Sequence, residues 1–233
     1  MYREQMIESI VDFNEELMAL VLEEKQVSQE LIHSAIRTGV INGKIHPVLC
    51  GSSFKNKGIQ QLLNAIVNYL PSPVDRGEIH GTDPVSGEGK IRKPEITQPF
   101  SALVFKIATD AHVGRLAYAR VYSGKAGIRD IFYNPRLKNK EKITRIFRMH
   151  SNKRHAEQIL QTGDIVALVG LKETTTGDTL SNQDFPITYE KMTFPEPVLS
   201  RSIEPKSTAD EAKLEEALRR LCDEDPTCKI NVD

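Results

Sequence analysis

Residues 99–124 constrain the fold more than any other part of the chain. Over residues 100–108 both alternating faces are largely apolar, with Val104 and Lys106 on one face and Ile107 on the other. This pattern predicts a strand that is covered on both sides. Turn-forming residues follow at 109–112, and a second alternating run begins at Leu116. The stretch therefore predicts two strands that lie side by side.

Further strands are predicted at short intervals after this pair. Turn residues such as Gly124, Gly163 and Gly177 separate them. Regularly spaced short strands of this kind are typical of a small closed β-barrel, which we predict over residues 98–193. The further strands are predicted at residues 128–133, 141–149, 164–171, 179–180 and 187–194.

The first 73 residues predict helices around a single strand. Apolar side chains recur at helical spacing over residues 2–22, and Ser28 is a suitable N-cap for a second helix through residue 37. A buried strand is predicted over 45–50, and a helix from Gly58 to the stop at Pro71. Because a parallel sheet needs several strands with helices on both faces, we expect this strand and helix to be part of a larger domain.

The segments on either side of the barrel have different compositions. Residues 74–97 are rich in Pro, Gly, Asp and Lys without apolar periodicity, which predicts a linker. Residues 194–233 predict the opening of a β-α-β domain. Its elements are a strand at 198–203, a helix at 209–222 capped by Ser207 or Thr208, and a strand at 229–232.

Several long motifs occur in the order found in one protein family. They are FSALVFKIATDAHVGRLAYARVYSG at 100–124, MHSNKR at 149–154, TGDIVALVGLKETTTGDTL at 162–180 and FPEPVLSRSIEPK at 194–206. These segments resemble translation elongation factor G around its second domain. The resemblance implies a multidomain α and β fold, in which a translation-factor β-barrel is flanked by two partial domains. They are the end of an α/β GTPase domain at 1–73 and the start of a ferredoxin-like split βαβ domain at 194–233.

The resemblance also implies a function. The members of this family are GTP-driven factors of ribosomal translocation. We therefore expect a cytoplasmic protein whose partners are the ribosome and small-subunit ribosomal RNA. We expect it to bind neither DNA nor membranes. No apolar run approaches the roughly 20 residues that span a bilayer. Two alternatives stay open: a ribosomal-protection or release-factor-type translational GTPase, and a ribosome-binding module that does not hydrolyse GTP.

The residues that hydrolyse GTP are missing from this sequence. It contains no GxxxxGK[ST] phosphate loop, and Asn56-Lys57 is not followed by the aspartate that reads guanine. We expect GTP and its Mg²⁺ to belong to the parent protein and this chain to be inactive in hydrolysis. Gly51, Ser52 and Ser53 stand where the family has a Gly-Ser-Ala guanine contact. The alternative interpretation is a tight turn that needs small residues.

A basic region is the candidate RNA contact. The net charge is only -1, so any RNA binding must come from a local patch. Arg145, Arg148, Lys153 and Arg154 are the predicted RNA-binding residues, with Arg136, Lys138, Lys140 and Lys142 in the same basic region. A solvated charged face is the alternative. The family resemblance favours RNA, because the barrel of translational GTPases docks on the small subunit.

No catalytic or metal site is predicted. His150, His155, Asp164 and Asp178 lie in or beside predicted turns, where polar residues are expected. The three cysteines, Cys50, Cys222 and Cys228, are odd in number and lack zinc-ligand spacing, so we expect neither a disulfide nor a metal site from them.

Overall fold

The computed structural model describes residues 2–110, 112–151, 153–190, 192–205 and 207–231, in two compact units, Met1–Arg76 and Gly77–Asp233. The N-terminal unit is helical. Its core contains Ile10 and Leu17, which belong to the apolar stripe predicted over residues 2–22, together with Ile36. The helices are α1 (Tyr2–Ile10), α2 (Glu15–Leu22), α3 (Gln29–Ile41) and α4 (Ile59–Tyr69).

The single helix predicted over residues 2–22 is wrong, because the helix is interrupted between α1 and α2. A short 3-10 turn at Val11–Phe13 leads to Asn14, whose backbone is extended. The Asn14 side chain accepts a hydrogen bond from the Leu17 N–H at 2.9 Å and so caps α2. The prediction of Ser28 as the cap of α3 is confirmed, since its hydroxyl accepts from the Leu31 N–H at 3.2 Å.

The strand predicted at residues 45–50 is also wrong. These residues form no strand, and Val48 is 90% exposed. A strand forms only when a neighbouring strand accepts hydrogen bonds from its backbone and donates hydrogen bonds to it, and the described residues place no such strand beside 45–50. The helix predicted after it is present as α4, but Leu63 and Val67 on its apolar stripe are 56% and 76% exposed.

The second unit is organised around an eight-stranded antiparallel sheet. The strands of this unit are β1 (Ile79–Thr82), β2 (Gly89–Arg92), β3 (Ser101–Asp110), β4 (Gly114–Ser123), β5 (Lys125–Gly127), β6 (Ile131–Asn134), β7 (Asn139–Lys142), β8 (Arg145–His150), β9 (Lys153–Glu157), β10 (Ile159–Gln161), β11 (Ile165–Val169) and β12 (Thr179–Ser181). The sheet order is β7-β6-β12-β3-β4-β11-β8-β9, and β5 pairs with β10. A mixed α and β fold with a large antiparallel sheet is therefore confirmed.

The sheet curves back on itself through residues 139–150. The first part of this segment, β7, pairs with β6, and the second part, β8, pairs with β11. At the break between them the Thr144 N–H donates to the Val169 carbonyl at 2.8 Å. The Gly170 backbone passes so close to Lys142 that an added Cβ would lie 2.6 Å from the Lys142 carbonyl oxygen. The φ of Gly170 is +112°, a conformation that favours glycine. One chain segment thus joins both ends of the ladder around a shared core.

The paired strands β3 and β4 confirm the two strands predicted at the centre of the sequence, with one correction. Their register shifts between Val104 and Lys106, so Phe105 is an extra residue of a β-bulge. Because of this bulge Val104 and Ile107 both face the core, whereas Lys106 is exposed. The strict alternation that placed Lys106 beside Val104 is therefore wrong.

Two stretches outside these strands differ from the predictions. The predicted linker at 74–97 contains the hairpin β1–β2, whose turn is closed by Asp83: its carboxylate accepts from the N–H groups of Val85 and Ser86 at 2.8 and 3.0 Å. The hydrogen bonds of the Asp83 turn stabilise this hairpin, although its strands lack the apolar alternation from which strands are predicted. The strand predicted at 187–194 is wrong. The described residues of this range form only an isolated β-bridge, between Thr188 and Thr82.

The C-terminal segment contributes one helix, α5 (Thr208–Glu224), as predicted. Residues 198–203 and 229–231 are not strands, and Val232 of the second predicted strand lies outside the described residues, as does Ala111 of the predicted turn at 109–112. α5 is held to the sheet by its last turn. Arg115 forms two hydrogen bonds to the Asp223 carboxylate at 2.5 and 2.7 Å, and the Thr109 N–H donates to Glu224 at 2.6 Å.

Candidate nucleic-acid interface

The four predicted RNA-binding residues lie on one hairpin, β8–β9, but on its two opposite faces. Arg148 is directly opposite His155, and His150 is opposite Lys153, so Arg148 and Lys153 share one face. Arg154 is opposite Met149 and shares the other face with Arg145. The hairpin therefore does not present all four cations to one flat partner.

Two of the four cations are neutralised within the molecule. Arg148 pairs with Glu157 at 3.1 Å and with Asp164 at 3.0 Å. Arg154 pairs with Asp110 at 2.5 Å. The charge of Asp164, together with the Glu157 hydrogen bond, raises the pKa of Arg148. These contacts lower the charge that either arginine offers to a phosphate.

The other two cations are less constrained. The Arg145 guanidinium lies 5.9 Å from the centre of the Phe147 ring, a cation–π contact that leaves its charge unneutralised. Lys153 is exposed, and it has no ion pair to any residue that the structure describes. Arg145 and Lys153 are thus the members of the predicted set best able to meet an external anion.

A second hairpin, β6–β7, carries cations that the sequence placed in the same basic region but not among the four predicted RNA-binding residues. Lys140 and Lys142 are exposed on the edge strand β7, while the intervening Glu141 is buried. Lys140 is opposite Tyr133, and Lys142 is opposite Ile131, which is 64% exposed. The spacing of lysines at 138, 140 and 142 is a period-two pattern that could have indicated one strand face.

An ionic network around a buried carboxylate fixes the end of this hairpin. The Asp178 side chain is only 4% exposed and accepts hydrogen bonds from Arg136 Nε at 2.5 Å and Arg136 Nη2 at 2.8 Å. The Asn134 amide and the Thr175 N–H donate to the same carboxylate at 3.0 and 2.8 Å. Burial by itself raises the pKa of Asp178, but these donors, Arg136 first among them, bring the net pKa below its usual value.

Glu141 extends the network to the loop after β11. Its carboxylate accepts from the backbone N–H groups of Lys172 and Glu173 at 2.6 and 2.8 Å and from the Thr174 hydroxyl. The inward Glu141 thereby anchors the loop, while the lysines on either side of it point outward. This arrangement explains Thr174 as a structural residue of a turn, and Asp178 likewise, as the sequence favoured.

The loop with Gly51, Ser52 and Ser53 is closed by its own backbone. The Ser52 N–H donates to the Lys57 carbonyl at 2.9 Å, and the Lys57 N–H donates back at 3.0 Å. An added Cβ on Gly51 would lie 2.8 Å from the Lys57 oxygen, so close chain crossing alone requires this glycine. The Ser52 N–H is therefore engaged within the loop.

Two of the residues considered for acid-base chemistry, the aspartates, are occupied by other contacts. Asp164 and Asp178 are bound by Arg148 and Arg136, and both histidines of the β8–β9 hairpin are exposed. The described residues contain no cluster of three or more His, Cys, Asp or Glu side chains arranged to hold a metal ion. Within the same residues, none of the helices has the length and apolar character to cross a bilayer.

Comparison with known proteins decides the family. Residues 99–183 match the family model described as elongation factor G domain 2, and residues 194–233 match the model for elongation factor G, domain III. The chain belongs to the elongation factor G family. It is also similar to the crystal structure of ttk003000868 from Thermus thermophilus, with 27% identity and a TM-score of 0.74. That similarity covers 99% of this chain and 32% of the other, so the chain spans about a third of that protein's length.

The Asp178 network generates a pH-dependent prediction. Asp178→Asn should lower the free energy of unfolding at pH 7 by about 2–3 kcal/mol, because the new amide NH₂ group would face N–H donors. The pKa of Asp178 is lowered on folding, so its contribution is present above its ordinary pKa and is lost as pH falls through the lowered value. Urea unfolding at several pH values should therefore show the difference from wild type shrinking below about pH 4.

The matched control is Asp184→Asn. Asp184 is exposed, and the same change should leave stability within about 0.5 kcal/mol of wild type. An equal loss in both variants, or a difference for Asp178→Asn that does not vary with pH, would contradict the role given to the network.

Proposed function

We propose that this chain is part of a ribosomal translocase of protein synthesis, and that its curved sheet is a translation-factor barrel that docks on small-subunit ribosomal RNA. Family membership supports the translation role. The observation that carries the docking role is the row of outward lysines on β7, whose charges have no acidic partner among the described residues.

Charge and geometry favour a phosphate backbone as the ligand of this surface. Lys140 and Lys142 lie about 7 Å apart along one strand face, and Arg145 follows about 10 Å beyond Lys142 along the chain. Lysine and arginine contacts to phosphates supply most of the non-specific affinity for nucleic acids. Tyr133, on the same face as Lys140, adds a ring on which an unpaired base can stack.

The four residues predicted from the sequence take unequal roles in this proposal. Arg145 and Lys153 contact phosphates from opposite faces of the β8–β9 hairpin, because their charges are not neutralised by acids of the described chain. Arg148 and Arg154 contribute less, since Glu157, Asp164 and Asp110 already bind them. Their main role is to hold the β8–β9 hairpin against neighbouring turns.

The N-terminal unit fits the end of a GTPase domain in longer members of the family. The exposed apolar stripe of α4, including Leu63 and Val67, is suited to pack against a sheet. In such a protein Gly51, Ser52 and Ser53 would lie beside the guanine of GTP, and the phosphates with Mg²⁺ would be held elsewhere. Ser52 already donates its N–H to Lys57, so this contact would rest on the neighbouring residues.

The docking role predicts a salt-dependent loss of binding. The combined variant Lys140→Ala, Lys142→Ala and Arg145→Ala should bind isolated small ribosomal subunits more weakly in cosedimentation. Removing three phosphate contacts should also reduce the slope of log K against log salt concentration by about 2–3.

A charge-matched control is available on α5. Lys213, Arg219 and Arg220 are exposed, and their replacement by Ala removes the same three charges at little cost to the helix. This control should retain wild-type affinity and slope. If both triple variants lose affinity equally, binding follows net charge and the β7 surface has no special role.

Because the sequence lacks a phosphate loop, we predict that nucleotide does not stabilise this chain. Millimolar GTP with Mg²⁺ should leave the melting temperature of this chain unchanged, because only a ligand that binds the native state stabilises it. Differential scanning fluorimetry with ATP as the comparison nucleotide measures this. An increase of several degrees with GTP and none with ATP would contradict the prediction.

A further inference from the structure

Two free cysteines meet at the end of α5. Cys222 lies in the last turn of the helix and Cys228 lies just beyond it, and their sulfur atoms are 2.8 Å apart. Neither residue is fully exposed. Cys50, the third cysteine, is exposed and lies in the other unit. The sequence spacing gave no reason to pair them, so the turn between them must explain their contact.

That turn is built by Asp225. Its N–H donates to the Leu221 carbonyl at 2.9 Å, and its carboxylate accepts from the Thr227 N–H at 2.9 Å and hydroxyl at 2.7 Å. The Cys228 N–H then donates to the Asp225 carbonyl at 2.9 Å. Pro226 further restricts the backbone. The turn therefore holds Cys228 over Cys222 without a covalent link.

We propose that Cys222 and Cys228 are a redox-sensitive dithiol that closes to an intramolecular disulfide. The two sulfurs need to approach by less than about 1 Å, since an S–S bond is about 2.05 Å long. With oxidised glutathione, one thiol forms a mixed disulfide and releases one reduced glutathione. The second thiolate then attacks the protein sulfur and releases another. Two protein thiols are oxidised, one glutathione disulfide is reduced, and the two thiol protons end on the two released glutathiones.

The surroundings of the pair explain how an oxidant reaches Cys222 and why Cys228 is its reaction partner. Cys222 lines a cleft together with Arg136, Asp178 and Pro226, through which a small oxidant can reach it. Burial raises the pKa of the Cys222 thiol to about 11, so proximity to Cys228 is the property that favours reaction. The adjacent Asp223 and Glu224 are the residues that hold α5 to the sheet. Oxidation would thus fix the turn next to this attachment.

The test is thiol mapping of the folded chain. The reduced protein is treated with oxidised glutathione, alkylated, digested with trypsin and measured by mass spectrometry. Both cysteines fall in the single tryptic peptide 221–229. We expect this peptide to lose about 2 Da and to resist alkylation, while Cys50 carries glutathione. Glutathione on both Cys222 and Cys228, or two alkylated thiols after Cys50 has reacted, would overturn the proposal.

Two controls separate folded geometry from short sequence distance. In Cys222→Ser and in Cys228→Ser the remaining thiol should carry glutathione, whereas Cys50→Ser should leave the disulfide unchanged. In concentrated guanidinium chloride the ratio of internal disulfide to mixed disulfide should fall roughly tenfold, because the preformed turn is lost. An unchanged ratio in denaturant would show that sequence distance alone brings the thiols together. The inference does not depend on ribosome binding.

Discussion

The second unit depends on one segment that pairs with two strands. Residues 139–150 hydrogen-bond to β6 in their first part and to β11 in their second, and this double pairing brings the ends of the sheet together around Ile143 and Ile146. The backbone groups at the break are satisfied, since Thr144 donates to Val169 and the Ile143 carbonyl accepts from the Arg129 N–H at 2.9 Å. A change that separated the two halves would open the core.

The same segment determines which charges reach the surface. Glu141 turns inward and binds the loop after β11, so the lysines on either side of it must turn outward. Asp178 and Arg136 secure the neighbouring turn, and Arg115 binds the Leu171 carbonyl at 3.0 Å, the Thr174 carbonyl at 2.5 Å and the Asp223 carboxylate. The buried carboxylates of Asp178 and Glu141, together with the partly exposed Arg115 and Arg136, thus connect the loops, the exposed lysine row and α5 in one polar network.

The sequence predicted those features that depend on local pattern. Alternation identified β3 and β4, and helical spacing identified α4 and α5. It missed the bulge at Phe105, because an extra residue in a strand leaves both faces apolar and is visible only in the pairing. It placed a strand at 45–50 from its apolar residues alone, although a strand also requires a partner.

Within the candidate site, the sequence predicted a strand at 141–149 that carries Arg145 and Arg148, but it did not predict β9, which carries Lys153 and Arg154. The division of these four residues between two faces and the long-range pairs with Asp110 and Asp164 were not predicted either, because these depend on register and on distant turns.

The central claim is that the lysines of β7 and Lys153 face the RNA. Lysine acylation followed by mass spectrometry, with and without small ribosomal subunits, measures this residue by residue. The account predicts a several-fold loss of reactivity at Lys140, Lys142 and Lys153, and unchanged reactivity at the exposed Lys213 of α5. Subunit binding that leaves Lys140 and Lys142 fully reactive, or that protects Lys213 to the same extent, would contradict it.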